Sequence, residues 1–172
     1  MKIDIRPELE SDYTAIYQVV DKAFGKNTEA VRIDTLRKTP GFVAGLSLTG
    51  KHCGKLVGHI LFYPVDIVDG DKKSKTLLLG PVSVLPAYQK KGIGGKLIKV
   101  GLSKAVKSGF ASVIVVGDPL YFVRFGFKPA STWNIRVPGE HSDTTVCALE
   151  LTAGALSASA GIVNYPSLIK HV

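Results

Sequence analysis

The run Gln89-Lys90-Lys91-Gly92-Ile93-Gly94-Gly95-Lys96 interleaves glycines with lysines at the head of a stretch whose apolar residues recur at helical spacing. The first backbone N–H groups of a helix have no intrahelical partner and lie at the positive end of its dipole, so an anion can accept them. Gly92, Gly94 and Gly95 remove the side chains that would keep a diphosphate off the backbone, and Lys90 and Lys91 add positive charge. The chemistry open to such a run is to hold a pyrophosphate. The same residues also suit a tight strand-to-helix turn beside a solvated lysine pair, and composition alone leaves both readings open.

Two nucleotide signatures can be tested here. The phosphate loop ends in Gly-Lys-Ser/Thr, whereas Gly95-Lys96 is followed by Leu97. A dinucleotide fold places its glycine turn after the first strand, but this turn lies near the middle of the chain. Neither an NTPase nor a nicotinamide-dependent dehydrogenase is favoured.

Other polar residues stand in or beside apolar runs. His59 interrupts Leu56 to Phe62, where a neutral imidazole can take a proton near neutral pH; it reads first as a hydrogen-bonded histidine of the core or sheet face. Asp118 either guides a cationic amine or caps the helix that follows it. Glu150, in a late apolar run, is equally ambiguous, and Ser83 is a local donor.

The elements that position these residues follow from periodicity. Ile3 to Arg6 reads as a short strand, and Asp12 to Phe24 as a helix with Ile16, Val19, Val20 and Ala23 on one stripe and Ser11 or Asp12 as N-cap. Thr28 to Lys38 is a second, weaker helix. Phe42 to Leu48 and Leu56 to Val68 read as strands joined through Gly50 to Gly54, and Asp69-Gly70-Asp71 turns the chain into Lys75 to Val84. Pro81 marks a bulge or splayed edge in that strand. Gly92 to Ser108 is amphipathic, with Lys96, Lys99, Lys104 and Lys107 on its wet side. Ser112 to Gly117 is apolar enough for a strand covered on both faces. Asn134 to Val137 and Thr145 to Leu151 are later strands.

Taken together, LGPVSVLPAYQKKGIGGKL (Leu79 to Leu97), GDPLYFVRFGF (Gly117 to Phe127) and the opening IDIRPELESDYTAIYQVVDKAF resemble the GCN5-related N-acetyltransferase (GNAT) family, in particular its YhbS-type subgroup. The family's Gln/Arg-x-x-Gly-x-Gly/Ala signature is matched by Gln89, Gly92 and Gly94. The resemblance implies a three-layer mixed α/β fold with a central, mostly antiparallel sheet flanked by helices, spanning residues 1–172 as one domain.

It also implies acetyl-coenzyme A as co-substrate. Gln89, Lys90, Lys91, Gly92, Ile93, Gly94, Gly95 and Lys96 would hold its pyrophosphate. Val82, Ser83 and Val84 would run beside the pantetheine arm and polarise the thioester carbonyl, and Phe122 and Phe125 would line the cofactor side. A substrate amine then attacks the acetyl carbon and the coenzyme A thiolate leaves. The family often has a tyrosine five residues before the last Phe of Tyr-x-x-x-Gly-Phe as proposed acid; here that position is Phe122, which cannot donate a proton. Tyr121 beside it would take that part only if its hydroxyl turned inward, since one residue rotates a helical side chain by about 100°; otherwise Tyr121 is an amphipathic rim residue. The acceptor side is expected from Phe24 to Pro40 and Ala130 to Asp143. Gly161 to Pro166 matches a subgroup stretch and implies an ordered extension, with Tyr165 either lining the acceptor groove or packing.

With 172 residues, 45% of them hydrophobic, the chain can bury a full core, and no linker or repeat divides it. A net charge of +8 favours polyanions. The basic residues are nevertheless spread along the chain without a nucleic-acid module, so no dedicated nucleic-acid partner is expected. A catalytically weak coenzyme A-binding regulator and a basic nucleic-acid-binding protein are the alternatives to an acetyltransferase. No stretch reaches the roughly 18 apolar residues of a membrane span, and no signal-type segment opens the chain. Cys53 and Cys147 make no disulfide framework, and His52-Cys53 makes no zinc site. The expectation is a cytoplasmic enzyme without a metal, a homodimer being common in this fold, acting on an amine of a small molecule or protein.

Overall fold

The computed structural model describes residues 1–139, 145–164 and 166. In chain order the elements are β1 (Asp4–Pro7), α1 (Tyr13–Phe24), α2 (Thr28–Leu36), β2 (Ser47–His52), β3 (Lys55–Asp69), β4 (Lys72–Val84), α3 (Ile93–Lys107), β5 (Ser112–Val116), α4 (Pro119–Phe122), β6 (Lys128–Pro129), β7 (Ile135–Arg136), β8 (Val146–Glu150) and β9 (Gly161–Asn164). They form two compact units, one from Met1–Tyr63 and Gly80–Lys104, the other from Pro64–Leu79 and the described residues after Lys104. β3, β4 and α3 each run from one unit into the other. The fold is mixed α/β, and its sheet is mostly antiparallel, with parallel pairing only at β4–β5 and β7–β9 among the described pairs.

In the first unit β1, β2 and β3 pair antiparallel in succession. α1 buries Ile16, Val19 and Val20, the stripe expected of a helix with one covered face, and stops at Gly25, whose φ of 68° is left-handed. α2 buries Ala30, Ile33 and Leu36 at the same spacing. α3 buries Ile93, Leu97 and Ile98 and leaves Lys96 and Lys99 exposed.

α3 comes so close to β3 that an added side-chain carbon at Gly58 is crowded and one at Gly101 clashes. A Cβ on Gly58 would lie 2.9 Å from Leu97 Cδ1 and 3.2 Å from the Ser83 carbonyl oxygen, and one on Gly101 would lie 2.1 Å from Phe62 Cε2. Helix propensity favours alanine over glycine by about 1 kcal/mol. The buried Phe62 ring reverses that sign, so Gly101→Ala is expected to destabilise by about 1–3 kcal/mol, read as a lowered urea midpoint. An unchanged or raised midpoint would refute the packing argument.

In the second unit the end of β3 pairs antiparallel with β9, and β4 runs parallel to β5 with Leu77 opposite Val113. β5 continues antiparallel to β8, which also pairs β6. Ser112, Val113, Ile114 and Val115 are all buried, as a strand covered on both faces requires. The buried hydroxyls of Thr76 and Ser112 satisfy each other at 2.7 Å.

Three readings of the sequence change. The strand placed at Phe42 to Leu48 is a 3₁₀ turn, Ala44–Leu46, followed by β2 from Ser47. Gly50, taken as loop, lies inside β2 at a register shift, where Ile3 and Leu97 side chains cover it. The real turn is the two-residue Cys53-Gly54, both at positive φ (48° and 79°), as a tight hairpin prefers. Asp12 stands at the N-cap of α1 without capping it: its carboxylate instead takes Arg6 at 2.8 Å, Lys51 at 2.9 Å and the Leu9 N–H. Residues 140–143 of the expected acceptor loop, and Tyr165, lie outside the described residues.

Candidate functional site

β4 ends at Val84, and the Leu85 N–H donates to the Val57 carbonyl at 2.9 Å, which aims the chain along the edge of β3. A 3₁₀ turn, Pro86–Tyr88, leads into an extended Gln89 and a left-handed Lys90 (φ 60°) and Gly92 (φ 80°) before α3 begins. The loop is closed by its own side chains: Gln89 Nε2 donates to the Val84 carbonyl at 3.0 Å and Lys91 Nζ to the Ala87 carbonyl at 3.1 Å. The Lys96 N–H reaches back to the Gly92 carbonyl at 3.1 Å, so the N–H groups of Ile93, Gly94 and Gly95 precede that bond, at the donor end of the helix. A Cβ on Gly92 would meet nothing within 4 Å. The position beside the turn at Gly92 is clear of protein.

The flanking candidates are placed as follows. Val82 and Val84 are half-buried, while Ser83 is fully buried and its hydroxyl has no partner among the described residues. Lys90 is exposed, but Lys96 is directed away, its ammonium donating to the Met1 carbonyl at 2.8 Å.

Phe122, Phe125 and Tyr121 belong to the second unit. Asp118 caps α4 by accepting the Leu120 N–H at 2.9 Å, the second of the roles its sequence position allowed. Phe122 is buried against the backbone of Gly117, where a Cβ would lie 2.6 Å from its ring, and against Phe127 with centroids 5.5 Å apart. Tyr121 is half-buried, edge-on to Phe122 at 5.1 Å, near Phe125 at 5.6 Å, and covered by the Arg124 guanidinium at 4.7 Å. Burial raises the Tyr121 hydroxyl pKa and Arg124 opposes this; the net is upward, so the phenol keeps its proton at neutral pH and is able to donate it. Glu150 accepts the Gly154 and Leu156 N–H groups and so anchors the loop after β8.

His59 lies in a different place. Successive side chains of a strand face opposite ways, and while Gly58 meets α3, His59 Nε2 meets Ser47 Oγ at 2.9 Å and Glu8 Oε2 at 3.2 Å. Glu8 also takes Arg37 Nε at 2.8 Å and Nη2 at 2.9 Å, and Arg37 continues to Asp34 and lies over the Tyr13 ring. Burial pushes the Glu8 carboxyl up, but the hydrogen bonds from Arg37, His59 and Ser47 outweigh it and hold it at about 2. Burial holds His59 below its ordinary value against the pull of Glu8. With no exposed surface, His59 fits the core-histidine reading. Nothing in the local sequence signals Glu8, Arg37 and Ser47 as its partners, which come from a strand end, a helix end and a neighbouring strand.

Among the described residues no three metal-ligating side chains come together, and no helix is long and apolar enough to cross a membrane.

Comparison with known proteins bears on the turn and its surroundings at once. A sequence model described as the acetyltransferase (GNAT) family matches residues 5–127, from β1 through the aromatic segment after α4. The chain is 36% identical over 123 residues to the uncharacterized N-acetyltransferase YjhQ of Escherichia coli K12, covering 71% of this chain and 67% of that one. Its fold superimposes on the crystal structure of the GNAT family N-acetyltransferase YhbS of Escherichia coli, solved in complex with CoA, with a TM-score of 0.89 at 26% identity, covering 98% of this chain and 92% of that one. A GNAT family acetyltransferase from Brucella melitensis, solved with acetyl-CoA, gives a TM-score of 0.78 at 33% identity, with 97% of each chain covered. On the extent of the family match and the identity to these relatives, the chain belongs to the acetyltransferase (GNAT) family.

Proposed function

We propose that this protein is an N-acetyltransferase that moves the acetyl group of acetyl-coenzyme A to a primary amine, working as one catalytic domain. The observation that carries the reading is the N-terminus of α3, where successive backbone donors follow a Gly92 whose Cβ position meets no protein within 4 Å. The coenzyme-bound structures of YhbS and of the Brucella melitensis relative support it. The amine loses a proton to solvent or a base, its nitrogen bonds to the acetyl carbon, and the carbonyl oxygen takes up negative charge. Backbone N–H groups around Val82 to Val84 stabilise that oxyanion. The carbon–sulfur bond then breaks and the thiolate takes a proton, for which the candidate from sequence is the Tyr121 phenol, neutral at pH 7.

A cavity of about 530 Å³ between α1 and the end of α2 is lined by Tyr13, Tyr17, Asp34, Arg37 and Lys38, with Asp34 paired to Arg37, and an amine panel tests whether it receives the acceptor. Calorimetric titration with acetyl-coenzyme A, ATP and a generic RNA at two salt concentrations is the test. Saturable, acetyl-coenzyme A-selective binding supports the enzyme and justifies an amine panel; salt-sensitive RNA binding alone would replace it with a polyanion-binding protein. Once an acceptor is found, Tyr121→Phe is expected to lower kcat about a hundredfold with acetyl-coenzyme A affinity nearly unchanged. An unaltered kcat would leave the coenzyme thiolate to solvent and remove Tyr121 from the mechanism.

A further inference from the structure

The loop that leads into the pyrophosphate turn carries a second basic cluster with a rigid centre. Tyr88 has Lys55 Nζ 5.6 Å and Lys91 Nζ 5.5 Å from its ring centroid, and the His52 ring meets it at 6.1 Å. The tip of the β2–β3 hairpin is thereby held against the loop before α3. His52 Nδ1 faces the Lys2 carbonyl at 3.0 Å; a carbonyl only accepts, so Nδ1 carries the proton.

The charge on this cluster is not neutralised. Arg6, Arg37 and Lys51 are each paired with a carboxylate, but among the described residues Lys55, Lys90 and Lys91 have no acidic partner. Attraction to the ring orients an ammonium without using its N–H donors, and only Lys91 donates to protein, at the Ala87 carbonyl. Lys90 additionally holds a left-handed backbone that a side chain disfavours, at φ 60°. Several oriented, unpaired donors around one centre are what a phosphomonoester requires, since it carries nearly two negative charges and three terminal oxygens.

We propose that Lys55 and Lys91, gathered around Tyr88 beside the His52 ring, form a phosphomonoester subsite that takes the 3′-phosphate of coenzyme A. The inference rests on the proposed cofactor. Coenzyme A bears this monoester one ribose away from its pyrophosphate, and Lys91 belongs both to the cluster and to the turn that would hold the pyrophosphate. Discrimination here is between coenzyme A and its 3′-dephospho form, not between acyl groups.

Calorimetry with coenzyme A, 3′-dephospho-coenzyme A and inorganic phosphate tests it on wild type, Lys55→Gln and Tyr88→Leu, each checked for an unchanged thermal midpoint. The wild type is expected to bind coenzyme A about tenfold more tightly than the dephospho form, the yield of a few half-exposed charge-assisted contacts. Lys55→Gln and Tyr88→Leu bring that ratio to within about twofold while leaving affinity for the dephospho form nearly unchanged. Equal wild-type affinities, or a tenfold preference that survives both variants, would overturn the subsite. Phosphate binding lost in Lys55→Gln without any coenzyme preference assigns the cluster to free phosphate and overturns the coenzyme assignment. Failure of both coenzyme forms to bind removes the cofactor itself, and the subsite with it.

Discussion

Gly92→Glu is expected to abolish acetyl-coenzyme A binding, with no saturable heat at concentrations that saturate the wild type. Two effects act together. The φ of 80° is one a side chain adopts at a cost of about 1–2 kcal/mol, so the turn relaxes away from its donor-aligned shape. A carboxylate in the clear space beside Gly92 then competes for the N–H groups at the start of α3 and repels the diphosphate. Losing two charge-assisted hydrogen bonds costs about 4 kcal/mol, a roughly thousandfold change in affinity. Gly92→Ala separates the effects, because the methyl meets nothing within 4 Å and only the backbone strain remains. If Gly92→Glu bound as well as wild type while remaining folded, the cofactor would have to lie elsewhere.

The second large effect is on stability. Glu8→Gln is expected to cost about 3–5 kcal/mol, because it leaves Arg37, 6% exposed, without its bidentate partner in a buried site that holds His59 at 0%. The same group contributes to the response to acid, beside Asp12, where burial pushes the carboxyl up but Arg6, the Leu9 N–H and Lys51 hold it low. Glu8 is held at about 2, below its ordinary 4.5, so its contribution is complete above pH 4.5 and is lost as pH falls towards 2. His59 is held below 6.5, and a base with a lowered folded value likewise destabilises the protein as pH falls below its unfolded value. Urea unfolding from pH 8 to pH 3 is therefore expected to show stability declining first below about 6.5 and then more steeply below about 4.5. In Glu8→Gln the steep lower limb flattens. Parallel curves for the two proteins would mean that Glu8 does not carry the acid sensitivity.

The turn from Gln89 to Gly95 was legible because its properties are local. Glycines that permit left-handed backbone, and a helix that starts where apolar spacing starts, need no knowledge of the rest of the chain. α1, α3 and β5 were legible for the same reason, each following from its period of burial. The second half of β2 was not, because Gly50 carries a loop signal that the side chains of Ile3 and Leu97 override. β6, two residues long, has too short a pattern to read and exists through its partner β8, whereas β7 falls inside the strand expected at Asn134 to Val137.

The candidate site divides along the same line. Sequence established the family resemblance, the fold class it implies and the glycine-rich turn ahead of α3, since motif and periodicity are carried by neighbours in the chain. Tertiary structure decided that Asp118 is a cap, that His59 is sealed with Glu8, Ser47 and Arg37, and that Lys55 and Lys91 share the ring of Tyr88. Each of those assignments depends on which partner arrives in space. A side chain's protonation, exposure and free donors are set by groups up to 95 residues away along the chain, and only the packed fold brings them within hydrogen-bonding reach.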